Sequence, residues 1–279
     1  MKHLGTEHPM SNLFYIEDIT DERVALYTEY NEPQLLHYNE PDGGIFIAET
    51  PAVIERALAL GAKPLSFFVE SGALGSDAVR SVIEKTADVP VFEAELSVIN
   101  KITGFNLTRG MLAAFERPGL SDAAKLLQSS TCVAVLEDIV NPTNVGAIFR
   151  SAAALGVDAV LLTYGSSDPF YRRAARVSMG TVFMVPWTYI PKGAVITELL
   201  HEHGFTVISM ELSDDAIGLT DPVLKKSAKR AVIFGAEGAG VSAETLQGSD
   251  HVAYIPMHNG VDSLNVAAAS AVTFWELCR

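Results

Sequence analysis

The sequence predicts an α/β protein with two domains. Three observations carry that prediction. Short apolar runs alternate with helical patterns along most of the chain, the arrangement of an α/β layer structure. In the second half those runs are almost continuously apolar, as in strands of a parallel sheet covered on both faces. The segment Glu116-Arg-Pro-Gly-Leu-Ser-Asp122 interrupts the alternation, and Pro118-Gly119 punctuates it. The reading is therefore a smaller α/β domain over residues 1–116, a linker over 117–122 and a larger α/β domain over 123–279.

In the first domain, residues 45–48 read as a strand and 51–60 as a helix with Pro51 in its first turn. Residues 65–69 are a strand, 77–85 a helix and 91–92 a short strand, and 111–115 closes the domain. Ser121 or Asp122 can cap the helix that follows the linker. In the second domain the expected strands are 132–136, 159–162, 182–185, 206–209 and 231–234. The clearest helices are 144–155 and 264–278.

Composition bounds the function. Hydrophobic residues make up 48% of the 279 residues and charged residues 19%, which excludes a disordered chain. No apolar run reaches the roughly 18–20 residues that span a bilayer. The first residues lack the apolar stretch of a secretory signal, and Glu17 to Glu22 are too acidic for a transit peptide. Cys132 and Cys278 sit among apolar residues and read as reduced thiols of a cytoplasmic protein. The net charge is −14, which disfavours a general polyanion binder. Residues 1–118 hold 9 Lys/Arg against 18 Asp/Glu, and residues 119–279 hold 11 against 16. Local basic clusters remain: Arg150, Arg172, Arg173 and Arg176 form one, and Lys225, Lys226, Lys229 and Arg230 another.

Three segments of the second domain carry chemistry. The first runs from Glu137 to Arg150, EDIVNPTNVGAIFR. A strand ends there, a polar loop follows, and a helix starts near Asn144, a residue type that caps helices. Ligands of open α/β sheets bind at this carboxyl end of the strands. Arg150 lies about two turns into the helix among apolar neighbours, where a guanidinium needs a polar partner. A cap and a salt-bridged arginine would also account for the segment. The second is Val232 to Ser242, VIFGAEGAGVS, a strand, a glycine-rich turn and a helix capped by Ser242. Gly235, Gly238 and Gly240 allow close backbone approach. Glu237 would repel a pyrophosphate and suits a cationic or zwitterionic ligand. The third is Tyr254 to Val266, YIPMHNGVDSLNV, a short strand and a loop leading to an alanine-rich helix. Ser263 and Asn265 offer neutral donors and acceptors at its start.

Taken together, these segments resemble the three signature motifs of the SpoU (TrmH-like) family of RNA methyltransferases. Asn144, Gly146 and Arg150 match the first motif, Gly235-Ala-Glu-Gly-Ala-Gly240-Val-Ser the second, and Ile255-Pro-Met with Ser263-Leu-Asn-Val the third. Arg176-Val-Ser-Met-Gly180 between them is also similar to the family. Order and spacing agree over residues 130–278, and residues 43–115 resemble, by pattern, the L30e-like substrate-binding domain that often precedes this one.

The resemblance implies a SPOUT-class fold, a parallel-sheet methyltransferase domain with a trefoil knot, where general rules would expect none. It implies a homodimer formed through the second domain, with S-adenosylmethionine as cofactor. The cofactor pocket would comprise Gly235, Glu237, Gly238, Gly240, Ile255, Met257, Ser263, Leu264 and Asn265. Arg150, Asn144, Glu237 and Asn265 would be catalytic, and Arg150, Arg172, Arg173 and Arg176 would bind structured RNA. The reaction would transfer a methyl group to a ribose 2′-hydroxyl, in ribosomal RNA ahead of transfer RNA. A guanidinium stays protonated, so Arg150 is expected to hold a phosphate and stabilise the developing oxyanion. Competing readings are an RNA-binding or assembly factor without catalysis, and a methyltransferase of a non-RNA substrate or a nucleotide-binding enzyme, the last disfavoured by Glu237 in the glycine turn.

Other residues carry weaker readings. His201 and His203, two apart on a helix, do not share a face. No metal is expected, because no Cys/His/Asp spacing suits one. His258 reads as a surface-loop residue, Phe274 and Trp275 as core or interface, and Arg109 as a possible RNA contact.

Overall fold

The computed structural model describes residues 12–40, 43–86, 88–103 and 110–278. The chain divides into two compact units, Met1–Pro118 and Gly119–Arg279. Arg109 lies outside the described residues.

The first unit runs β1 (Leu13–Tyr15), α1 (Ala25–Thr28), α2 (Glu32–Leu36), β2 (Ile45–Glu49), α3 (Pro51–Ala59) and β3 (Pro64–Glu70). It continues with α4 (Asp77–Glu84), β4 (Val91–Ala94), α5 (Leu96–Thr103) and β5 (Met111–Glu116). The sheet order is β1-β4-β3-β5-β2. The strands β1, β4 and β3 are parallel, and β5 is antiparallel to both β3 and β2. Local chemistry starts the helices: Asn31 and Gln34 form a reciprocal capping box on α2, and the Ser76 hydroxyl accepts the Val79 N–H on α4. The buried Tyr27 hydroxyl donates to the Ser66 carbonyl at 2.8 Å and accepts from the Ala114 N–H at 3.1 Å. Burial raises the pKa of this phenol well above its ordinary value, against the bonds from the Ser66 hydroxyl and the Ala114 N–H, which favour the phenolate. The tyrosine thereby pins α1 to the middle of the sheet beside Ile16, Phe68 and Leu112. The sequence reading did not include β1, α1, α2 or α5. These elements are short, and β1 is an edge strand with Phe14 and Tyr15 exposed, so periodicity is weak in them.

The second unit begins α6 (Ala123–Ser129), β6 (Cys132–Leu136), α7 (Pro142–Leu155), β7 (Ala159–Leu162), α8 (Arg172–Val177) and β8 (Trp187–Tyr189). Next come α9 (Ile196–Glu202), β9 (Thr206–Met210), β10 (Ile217–Gly218), β11 (Arg230–Phe234), α10 (Ala243–Gly248), β12 (His251–Tyr254) and α11 (Val266–Leu277). Its seven strands are all parallel, in the order β10-β12-β9-β11-β6-β7-β8. Every residue of β6 and β7 is buried, because helices cover both faces. On one face α6 and α9 pack Leu127 and Leu200 against Val133, Leu161 and Ile233. On the other, α7 and α11 lie together, and Phe274 meets Phe234 edge to face at 5.5 Å.

The late strands β11 and β12 are inserted between strands laid down earlier. As a result, the carboxyl ends of β6, β9, β11 and β12 stand side by side, and the loops of all three chemical segments meet there. At the opposite end, Asp158 accepts the N–H groups of Thr131 and Cys132 at 2.8 and 3.0 Å. Partial burial pushes its carboxyl up, but these bonds and the Thr131 hydroxyl outweigh it and hold the pKa below the ordinary value.

Three expectations change here. Residues 182–185 do not form a strand: Thr181–Phe183 is a 3-10 turn, and the strand lies at Trp187–Tyr189. Gly180, with φ of 81°, turns the chain before it is extended enough to pair. The helix cap is Asn141 rather than Asn144, with Pro142 in the first helical position. Cys132 and Cys278 are not free thiols but are paired as a disulfide, their Cα atoms 5.7 Å apart. The register of β6 and the end of α11 bring together two residues separated by 146 positions.

Candidate functional site

The loop after β11 is built to close on itself. The Gly240 N–H donates to the Ala236 carbonyl at 2.8 Å, and a side chain at Gly235 would run into the Gly240 backbone. Two neighbouring strands hold its exit. Glu211, directly after β9, accepts the Val241 N–H at 2.9 Å. Glu137, directly after β6, accepts the Ser242 N–H at 3.2 Å and the Thr245 hydroxyl at 2.9 Å. Consecutive amides of the loop are thus gripped by carboxylates from the strands on either side of β11. Ser242 then caps α10 by accepting the Thr245 N–H.

This loop presents Glu237 to the other two segments. Asn144 Nδ2 donates to Glu237 Oε1. Asn265 Nδ2 lies 3.3 Å from both Glu237 Oε1 and Asn144 Oδ1. Asn265 also caps α11, accepting the Ala267 N–H at 3.0 Å. Asn144 is buried, 6% exposed, so both its amide groups need partners, and the two loops supply them. One residue from each segment therefore meets in a single hydrogen-bonded group.

Beside the group lies a cavity of about 480 Å³, within the range of small-molecule sites. Gly235, Glu237, Gly238, Gly240, Ile255, Met257, Ser263, Leu264 and Asn265 all line it. Sequence reasoning missed Glu211 and Asp262, which also line it. Glu211 lies outside any glycine or asparagine motif, and a carboxylate after a strand has no distinctive spacing.

The structure keeps the arginines apart from the cavity, whose lining includes none of them. Arg150 is exposed, so the apolar burial expected for it does not occur: its apolar neighbours on α7 turn inward and it turns out. It makes no hydrogen bond or ion pair with a described residue. On α8, Arg173 is exposed, while Arg172 and Arg176 are half-buried and have partners. The helices α7 and α8 touch closely, for a Cβ at Gly146 would lie 2.5 Å from the Ala174 carbonyl oxygen. The second basic cluster serves the far end of the sheet. Lys229 Nζ donates to the carbonyls of Leu127 and His203 at 3.1 and 3.3 Å, and Lys225 pairs with Glu276.

His201 and His203 point to separate partners, Asp250 and the Leu199 carbonyl, each at 2.9 Å. His258 is exposed, Phe274 is buried and Trp275 is 51% exposed. Among the described residues, no group of three or more His, Cys, Asp or Glu could hold a metal ion. No described helix is long and apolar enough to cross a membrane.

Comparison with known proteins follows the same lines. Residues 131–275 match the SpoU rRNA Methylase family. An uncharacterized tRNA/rRNA methyltransferase of Mycobacterium bovis is 39% identical over 84% of this chain and 81% of its own length. The 23S rRNA (guanosine-2′-O-)-methyltransferase RlmB of Acinetobacter baylyi is 29% identical over 68% of this chain and 79% of its own. The crystal structure of an AdoMet-bound rRNA methyltransferase from Sinorhizobium meliloti superposes with a TM-score of 0.79 at 24% identity. It covers 95% of this chain and 97% of that one. The fold is that of these methyltransferases, and the chain belongs to the SpoU rRNA methylase family.

Proposed function

We propose that the protein is an S-adenosylmethionine-dependent RNA methyltransferase that modifies a ribose 2′-hydroxyl, in ribosomal RNA ahead of transfer RNA. The observation that carries this reading is the Asn144–Glu237–Asn265 group beside an acid-lined cavity. Relatives named as 23S rRNA 2′-O-methyltransferases support the reaction class. The cavity also fits the cofactor chemically. Its lining carries carboxylates and glycine backbone but, among the described residues, no lysine, arginine or histidine, as suits a cationic ligand.

When bound, the cofactor supplies an electrophilic methyl group on a sulfonium. The chain's residues would then divide the work. Gly235, Ile255, Met257, Ser263 and Leu264 hold the cofactor, and Glu237, Asn144 and Asn265 fix the three loops relative to one another. Arg150, exposed and without a partner among the described residues, grips a phosphate next to the target ribose and stabilises the oxyanion that develops there. It cannot take the proton itself, so a phosphate oxygen or water accepts it. Arg172, Arg173 and Arg176 extend the contact to RNA.

Three further elements belong to this proposal. The first unit is the L30e-like RNA-binding domain. The late insertion of β11 and β12, with α11 packed on α7, is the knotted part of the fold. A homodimer forms through the second unit, where Val272 and Trp275 leave apolar surface exposed on α11. The cytoplasm is the compartment proposed, on the ground of an RNA substrate alone; the Cys132–Cys278 pair counts against it, because disulfides are rare in a reducing cytosol.

The test is methyl transfer from labelled S-adenosylmethionine into RNA from cells lacking the protein, followed by alkaline hydrolysis. Alkaline cleavage needs a free 2′-hydroxyl, so labelled, alkali-resistant dinucleotides are expected, and an Arg150→Ala variant should yield none. Label in alkali-sensitive mononucleotides would instead show base methylation. Cofactor binding without any transfer to cellular RNA would favour a binding factor.

A further inference from the structure

The cavity holds more negative charge than the Asn144–Glu237–Asn265 group accounts for. Glu211 and Asp262 line it as well as Glu237. None of the three has an ion-pair partner among the described residues. Glu211 is also held in place: Oε2 accepts the Val241 N–H at 2.9 Å and Oε1 the Leu212 N–H at 3.0 Å. A carboxylate oxygen has more than one acceptor site, so both remain able to face a ligand. Gathered carboxylates without a cation repel one another, and a cationic occupant offsets that cost.

The two small molecules that must use this cavity in turn differ in charge. S-adenosylmethionine has a sulfonium and an ammonium against one carboxylate, and so a net positive charge. Loss of the methyl cation leaves the electron pair on sulfur, and S-adenosylhomocysteine is a neutral thioether with no net charge. We propose that Glu211, with Asp262, makes the cavity discriminate by charge, tightening the methyl donor relative to the spent product and thereby helping the product to leave. Charge complementarity gives selectivity of this kind without any change in shape. The inference rests on the cavity being the cofactor site.

The experiment measures binding by calorimetry, on the full chain, of S-adenosylmethionine, S-adenosylhomocysteine and sinefungin, an analogue that carries an amine cation in place of the sulfonium. Glu211→Gln removes the charge and keeps one acceptor oxygen for the Val241 N–H, at the loss of the bond from the Leu212 N–H. It is expected to weaken S-adenosylmethionine and sinefungin about fivefold to tenfold and S-adenosylhomocysteine less than about twofold. Equal weakening of all three ligands, or none, overturns the proposal, because a residue that merely positions the loop would act on every ligand alike. Asp262→Asn, on an exposed loop, should shift the same ratio and keeps the test open if the first variant does not fold. Leu264→Arg, which fills the cavity, checks the underlying site: if it leaves all three affinities intact, the cavity reading fails rather than the charge argument alone.

Discussion

Asn144 and Arg150 lie six positions apart on one helix and have opposite surroundings. Asn144 is buried with both amide groups engaged, whereas Arg150 is exposed and has no hydrogen-bond or ion-pair partner among the described residues. A buried asparagine whose hydrogen bonds all go to protein is a fixture; an exposed arginine is available to a ligand. This predicts how substitutions divide. Arg150→Lys keeps the charge but replaces a planar fork with a point charge, and should lower methyl transfer by about 100-fold or more. Cofactor affinity should not change, since Arg150 does not line the cavity. Steady-state transfer and calorimetry on one preparation check both parts. A lysine variant with near-full activity would show that charge alone suffices. The residues of the site were legible in the sequence because glycines and asparagines at fixed spacing leave a pattern. Glu211 and Glu137 left none. Each acts through backbone amides of a loop more than twenty residues away, and a carboxylate at a strand end looks the same whether it binds a loop or water.

Among the elements, α7 does most to bring the site together. Asn141 and Pro142 start it, its buried face carries Val145, Ile148, Phe149 and Ala152, and Gly156 ends it in the left-handed region. Gly146 lies in that face, where α8 passes so close that a methyl group would meet Ala174 backbone at 2.5 Å. Intrinsic propensity says that alanine stabilises a helix interior by about 1 kcal/mol over glycine. The packing says the reverse, since backbone atoms cannot swing aside as a flexible side chain can. Gly146→Ala should therefore destabilise the fold by about 1–3 kcal/mol, the usual cost of overpacking. Urea unfolding measures the sign directly, and a gain in stability would mean that α8 shifts freely. Apolar runs revealed the long buried strands β6, β7, β9 and β11. The short strand β8 was missed because Gly180 and a 3-10 turn displace it along the chain, and β1 because an edge strand keeps half its side chains in water.

For the whole molecule, the question is how a protein of net charge −14 binds RNA. The pairing of distant residues decides which cations can contribute. Lys225 and Lys229 are committed to contacts at the amino end of β11, away from the loops of the site, and Arg172 and Arg176 already have partners within the fold. Of the basic residues singled out near the site, Arg150 and Arg173 are the ones that stand exposed on neighbouring helices. Sequence could group the cations by position but not sort them by engagement, because engagement depends on which carbonyls and carboxylates the sheet brings near. Phosphate contacts release counterions, and each adds about 0.7–0.9 to the slope of log affinity against log salt. Replacing both Arg150 and Arg173 with alanine should make that slope shallower by about 1.5. Replacing Lys226, exposed at the opposite end of β11, with alanine should leave it unchanged. Filter binding of a target RNA fragment across a salt series distinguishes the two variants. If the Lys226 variant flattens the slope as much as the double-arginine variant does, RNA is gripped at the amino end of the sheet, and the arginines of α7 and α8 do not form the phosphate-binding surface.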